Sequence, residues 1–359
     1  MIFLIRVFFN LENCLDMDKV INLQNPIERL DINLETHKFT FIDLFAGIGG
    51  FRIALESIGG KCLFSCEINE HCQKIYKENF GEIPVGDIKT LNPKDIPKCD
   101  VLCAGFPCQP FSISGKKMGL KDERADVIES LFNIINHLQP KIVILENVKH
   151  LVHHDNGETL RYILSSLNKV AYNVSYDVLN AKNFGVPQNR ERLIIVATLN
   201  NKFDFSKLER QKTVKIHDIL DKTGDFEFLK LDEYNIIENP IKQDSGLIFS
   251  GYRNKKIRIN GVRKGTEHLS RVHKQPNRIY SINGTHPTIA SQETSGRYWI
   301  LLDDGCVRKL TINECFKIMG FPEDYKLKSS ISELYKQVGN SVCIPKIVAL
   351  GKEIIQQLL

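Results

Sequence analysis

Cys108 sits between two prolines in LCAGFPCQPFSISGK (102–116), directly after an apolar, strand-like run. Proline fixes φ and stops helices and central strands. The cysteine is therefore predicted on a stiff turn at a strand end, with its sulfur presented rather than packed. A thiol held that way is useful as a thiolate nucleophile. Glu146, in ENV (146–148), ends another apolar run and would share the same carboxyl edge. A carboxyl kept protonated in a secluded site can donate to a ring nitrogen. QNRERL (188–193) sets Arg190 and Arg192 at the start of a strand. Period 2 points both to one face, where guanidinium groups can hold a carbonyl oxygen, a carboxylate or a phosphate.

A second group suits a nucleoside. In DLFAGIGGF (43–51), Gly47, Gly49 and Gly50 follow an apolar run. Such turns let backbone approach a ligand at the carboxyl end of a parallel sheet. The spacing is not GxGxxG, and a tight packing turn explains the glycines alone equally well. Glu67 ends a second strand about twenty residues on, where an acid can take ribose hydroxyls. Asp87, in VGDI, ends a third strand-like segment, where an acid can accept from an adenine amino group. With no phosphate-binding lysine, the set fits a cofactor without phosphates, such as S-adenosylmethionine.

The elements that must position these residues alternate. Apolar runs at 38–45, 61–68, 100–106, 141–148 and 192–199, and NVSYDVLNA, read as strands. Helical patterns over FRIALESIG, NEHCQKIYKENF (capped by Asn69), DVIESLFNIINHLQ and GETLRYILSSLNKVA lie between them. That order predicts an α/β fold, a doubly wound, mostly parallel sheet of Rossmann type. The alternation stops near residue 200. Residues 201–300 are polar and turn-rich, a smaller β-containing part. INECFKIMG and SVCIPKIVALGKEIIQQLL then read as helices, the last apolar enough to return to the sheet. The expected division is an extension over 1–36, a catalytic and cofactor-binding domain over 37–220 plus 335–359, and a recognition domain with its hinge over 221–334.

The 359 residues suffice for a large domain and a smaller one. No apolar run could span a bilayer. The opening MIFLIRVFF holds Arg6 and lacks a small-residue cleavage site, so it is not read as a signal peptide. Cys62, Cys66 and Cys72 cluster near His71 but read as small core residues of a reducing cytosol, and no metal is expected. The net charge of +5 is uneven: residues 251–280 carry nine Lys/Arg and one acid. That stretch is either a solvated face or a phosphate-binding surface.

Taken in order, DLFAGIGGF, CEIN, GDI, GFPCQPFS, ENV, QNRER and KQVGNSV resemble the DNA (cytosine-5)-methyltransferases, particularly the compact bacterial enzymes of restriction–modification systems. The resemblance spans roughly residues 39–352. It implies that Cys108 attacks cytosine C6, Glu146 contacts N3 and the exocyclic amine, and Arg192 holds the base carbonyl with Arg190 in support. It further implies S-adenosylmethionine contacts at Phe45, Gly47, Gly49, Gly50, Glu67, Ile68, Asp87, Ile88, Pro107, Asn340 and Ser341. The loop 108–126 resembles a closing lid. Arg124 is present, but Ala125 and Asp126 stand where the family usually has a glycine followed by a small or apolar run, which leaves the loop's exit geometry and one cofactor contact open.

Recognition loops fall at 273–296 in the family. Arg278 and Arg297 can reach guanine bidentately, and Gln275 and Gln292 can pair with adenine. Alignment on RIYS makes Gln275 the residue that fills the gap left by a flipped base. Thr288 resembles a phosphate contact, and Ser114 in the loop joins the DNA-binding set. The expected partner is duplex DNA with a short specific site, bound by a monomer in the bacterial cytoplasm at the nucleoid. A restriction endonuclease would share the site without needing to bind. Two other functions compete. A tRNA-methylating branch carries Cys-Phe-Thr where this chain has Cys315-Phe316-Lys317. A silent DNA-binding regulator should have lost Cys108, Glu146 or the arginines.

Overall fold

The computed structural model describes residues 37–107, 123–254, 265–292 and 298–359, with only the backbone of 123–126. Cys108, Ser114, Arg297, the extension 1–36, the side chains of Ala125 and Asp126, and Lys255, Lys256 and Arg258 of the basic stretch lie outside the described residues. Among the described residues, thirteen strands form three sheets: β1 (Phe39–Leu44), β2 (Gly60–Cys66), β3 (Val101–Ala104), β4 (Ile142–Val148), β5 (Asn173–Asn180), β6 (Gln188–Asn189), β7 (Glu191–Thr198), β8 (Tyr234–Ile236), β9 (Phe249–Arg253), β10 (Arg278–Ser281), β11 (His286–Pro287), β12 (Trp299–Leu301) and β13 (Val307–Lys309). The helices are α1 (Gly50–Glu56), α2 (Glu70–Phe80), α3 (Glu123–Leu138), α4 (Glu158–Lys169), α5 (Ile312–Met319), α6 (Ile331–Asn340) and α7 (Ile344–Leu358).

The main sheet has the order β2-β1-β3-β4-β7-β5. β1 pairs in parallel with β2 and β3, and β3 with β4. β7 runs antiparallel to both β4 and β5. Alternating helices and strands suggest a mostly parallel sheet, and β7 is the exception for a simple reason. Only residues 181–190 separate β5 from β7, and a parallel return needs about a dozen residues or more. The chain folds straight back instead, which sets Arg190 and Arg192 beside the end of β4.

Strand alternation divides the interior. Phe39, Phe41, Val101, Cys103, Ile142, Ile144, Ile194 and Val196 face one core with α1 and α7. Ile42, Leu44, Leu102, Ala104, Val143, Leu145, Leu193 and Ile195 face the other, with α3 and α4. Two covered faces are what a sheet of apolar runs requires. The first core continues through Ile282, Ile289, Tyr298, Leu310, Phe316 and Tyr335, so the chain beyond 280 packs directly on the catalytic face. A five-stranded sheet, β13-β12-β10-β9-β8, carries the smaller part, and β11 pairs with β6 to join the two.

Asp43 on β1 is wholly buried, and neither carboxylate oxygen has a hydrogen-bond partner among the described residues. The neighbouring Cys103 thiol donates instead to the Ile42 carbonyl at 3.2 Å. Burial first, and Glu67 second, push the Asp43 carboxyl up to about 8. A raised folded value means that its contribution is fully present below the unfolded value near 4 and is lost as pH rises to about 8. Asp43→Asn is therefore expected to stabilise the fold at pH 8.5 by about 2 kcal/mol or more, at about 1.4 kcal/mol per unit, with little effect at pH 4. Urea unfolding at both pH values checks this; an equal effect at the two would contradict it.

Candidate active site

The strand order reverses between β1 and β3, and ligands favour such switch points at the carboxyl edge. A cavity of about 500 Å³ opens there, within the usual range for small-molecule sites. Phe45, Gly47, Gly50, Glu67, Ile68, Pro107, Glu146, Arg190, Arg192, Asn340 and Ser341 all line it. Gly49, Asp87 and Ile88 do not appear in its wall. Gly49 (φ +83°) is turned toward Phe80, which leaves no room for a Cβ. Asp87 caps a short 3-10 turn and accepts from the Lys89 amide, and Ile88 is buried in the second core.

The first half of the cavity is the turn after β1. Phe45 has φ 63° and Gly47 φ 56°; a non-glycine residue in that region is a local strain typical of sites. The Gly47 amide donates to Glu67 Oε2 and the Asn69 amide to Glu67 Oε1, both at 2.8 Å. These two bonds aim the carboxylate across the glycine turn. Beside it Ile68 is 64 % exposed, an apolar surface without cover. Gln337 on α6 also lines the cavity, buried, with neither amide atom partnered among the described residues. A carboxylate, an uncovered apolar surface and an orphaned amide suit a nucleoside with a polar tail, so these residues fit S-adenosylmethionine.

The second half is the β4–β7 end. Glu146 faces the α1–α7 side, as do Ile142 and Ile144 before it. It is 8 % exposed, its Oε1 has no hydrogen-bond partner among the described residues, and Arg192 Nε stands 3.4 Å away. Next to it Asn147 Nδ2 donates to the Phe106 carbonyl at 3.0 Å. That bond fixes the strand end leading into Pro107 and, one residue on, Cys108.

Arg190 is 1 % exposed, and its guanidinium donates to the carbonyls of Ser341 (2.8 Å), Gly339 (3.0 Å) and Ile289 (3.4 Å). Burial, then Arg192, push it down to about 9, so it stays a cation at neutral pH. Its neighbours help: the Ile289 amide donates to Gln188 Oε1 and the Thr288 hydroxyl to the Asn189 carbonyl. Gly339 is needed because a Cβ there would lie 2.3 Å from the Ala290 carbonyl oxygen. The glycine turn meets the same segment, since a Cβ on Gly50 would strike Ser341 and Val342 at 2.8 Å. Asn340 and Ser341 thereby reach the cavity from the far end of the chain.

In the smaller part, Gln275 is exposed at the start of a 3-10 turn. Arg278 opens β10, with its Nε donating to the His273 carbonyl at 3.0 Å. Gln337, Asn147 and the buried Lys346 behind Glu146 are not anticipated by the sequence reading. Asn147 stands in the quoted ENV motif, and Gln337 in KQVGNSV.

With this geometry in view, the sequence model of the C-5 cytosine-specific DNA methylases matches residues 39–356. The chain belongs to that family. It is 39 % identical over 315 residues to Type II methyltransferase M.HhaI of Haemophilus parahaemolyticus, covering 85 % of this chain and 90 % of that one. It is 41 % identical over 332 residues to M.HpaII of Haemophilus parainfluenzae, with 89 % and 90 % covered. Among solved structures, the methylase resembles S. pombe Dnmt2 (TM-score 0.65, 22 % identity, 89 % and 98 % covered) and Entamoeba histolytica EhMeth (0.64, 23 %, with the same coverage). These two likenesses concern the fold. The methylase transfers a methyl group to C5 of cytosine in DNA, and its family draws that group from S-adenosylmethionine.

Glu67→Gln keeps the shape but turns an acceptor oxygen into a donor facing one of two amides. Hydrogen bonds to charged groups contribute about 1.5–3 kcal/mol, so S-adenosylmethionine should bind at least about tenfold more weakly by calorimetry. Unchanged affinity would contradict a cofactor role for Glu67.

Proposed function

We propose that the methylase modifies one cytosine within a short duplex site through a covalent bond from Cys108 to C6, as the protective half of a restriction–modification pair. The supporting observation is the convergence of Glu146 and Arg192 on the cavity that also holds Phe45, Glu67 and Asn340. Bound S-adenosylmethionine supplies an electrophilic methyl group on a sulfonium. Cytosine C5 is too weak a nucleophile to take it unaided. Addition of the Cys108 thiolate to C6, with N3 taking a proton from Glu146, makes an enamine nucleophilic at C5. Arg192 holds the carbonyl oxygen as charge moves through the ring. Loss of the C5 proton and expulsion of Cys108 restore aromaticity. The base must leave the stack to reach these groups.

Residues 37–220 with 335–359 form the catalytic part in this reading, and 221–334 read the site. The basic stretch 251–280 neutralises phosphates; Gln275 fills the gap left by the flipped base, and Arg278 and Arg297 read bases. Asp87 and Ile88 would contact the adenine in this reading. The bacterial relatives named Type II methyltransferases support the protective role, in a monomer acting at the nucleoid.

Cys108→Ser is expected to lower turnover by about a thousandfold or more while leaving DNA affinity intact. A duplex with 5-fluorocytosine at the target should trap the wild-type chain covalently, because the fluorine cannot leave as a proton does. Substantial turnover by the serine variant, or no adduct, would sink the covalent route.

A further inference from the structure

The loop that carries Gln275 and Arg278 is tied at its base. The His273 carbonyl accepts from Arg278 Nε at 3.0 Å. Between them the 3-10 turn Gln275–Asn277 holds Pro276 near its start, and the Asn277 amide donates to the Lys274 carbonyl at 3.0 Å. Asn277 is buried, while Gln275 is exposed. The His273 ring anchors the tie. It stacks on Tyr252 of β9, with centroids 4.1 Å and planes 18° apart, and its centroid lies 5.6 Å from that of Phe249. Its Nε2 stands 2.7 Å from the Glu267 carbonyl, an oxygen that only accepts, so Nε2 carries the proton. Tyr252 is also the cross-strand partner of Arg278, which sets both side chains on one face of the sheet.

We propose that His273 is a positioning residue for sequence reading, which fixes the guanidinium of Arg278 before DNA arrives. This rests on the reading that Arg278 contacts a base. A guanidinium has five donors, and a guanine edge takes two of them in parallel. With Nε held by the His273 carbonyl, the terminal pair is what remains, and the Arg278 side chain makes no other hydrogen bond among the described residues. A long side chain held in that way gives up less rotamer freedom when it binds. The carbonyl can hold Nε only while His273 keeps its place, and the stack on Tyr252 supplies that place. The polar edge of the same ring ties back the preceding turn at Glu267. Without the ring the loop opens at its base, and Arg278 meets other bases almost as well. Arg271 and Lys274 are exposed on either side of His273; cations there suit phosphates, which carry no sequence information. His273 therefore acts on which site is chosen rather than on overall attraction to DNA.

Methylation of a random-sequence duplex library, read by bisulfite sequencing, tests this with His273→Ala, Tyr252→Leu, Arg278→Ala and the double variant His273→Ala/Arg278→Ala. The wild-type chain should mark one short sequence context. Arg278→Ala should lose at least about tenfold of its discrimination at one base position, in the range of a lost bidentate contact. His273→Ala should lose discrimination at that same position. The double variant should lose no more there than Arg278→Ala alone, because a residue that acts through another adds nothing once that other is gone. Tyr252→Leu removes the other half of the stack and should relax the same position; it decides the matter if His273→Ala does not fold. Affinity for S-adenosylmethionine should be unchanged throughout. Slower methylation with an unaltered context in His273→Ala and Tyr252→Leu, or losses that add in the double variant, would overturn the proposal and leave Arg278 as a reader. A wild-type context in Arg278→Ala would remove the reading that Arg278 contacts a base, and the proposal with it.

Discussion

One buried guanidinium joins the two ends of the active site. Arg190 reaches three main-chain carbonyls, at Ile289, Gly339 and Ser341, from segments about 100 and 150 residues away. Buried carbonyls need donors, and a buried cation needs acceptors. Each meets the other's need here without a carboxylate. The close approach of Gly339 to Ala290 and of Gly50 to Val342 follows from that docking. Without it, Asn340 and Ser341 would have no fixed place opposite the glycine turn.

The same docking seals an electrostatic cluster. Glu146 shares a secluded corner with Arg190, Arg192 and Lys346, so one carboxylate faces three cations. Such crowding is costly at low dielectric, and among the described residues no hydrogen bond of the Lys346 ammonium offsets it. Glu67 shows the opposite arrangement, an acid whose charge is met by two backbone amides. One acid is held by main-chain donors at the glycine turn; the other stands among cationic side chains at the β4–β7 end.

Much of this was legible in the residues. The strand–glycine-turn–helix start, the two acids Glu67 and Glu146 at strand ends and the closing helix follow from apolar runs broken at chemical residues. The reversal of β7 was less visible, because pairing direction depends on the length of the 181–190 connection rather than on the strand's own pattern. Arg190 reads as a second hand on the substrate; only the fold reveals that its two terminal nitrogens donate to distant carbonyls. Lys346 carried a signal that periodicity exposes afterwards. Residues 343, 346/347, 350 and 354 trace one helical stripe, so a lysine at 346 stands at a core position. That Asp87 caps its own 3-10 turn and stands outside the cavity wall is not visible in VGDI, whose pattern places it only at a strand end.

The most direct test of the account is hydrogen exchange across the Arg190 docking, measured on Arg190→Met beside the wild-type chain. Amides from 341 to 350 should lose protection by about tenfold or more, the size of a lost charge-assisted hydrogen bond. Those of β1 and β3 should keep theirs, and S-adenosylmethionine affinity should fall in step. Unchanged protection over 341–350 would mean that the C-terminal return is held by its apolar packing alone, and that Arg190 does not organise the site.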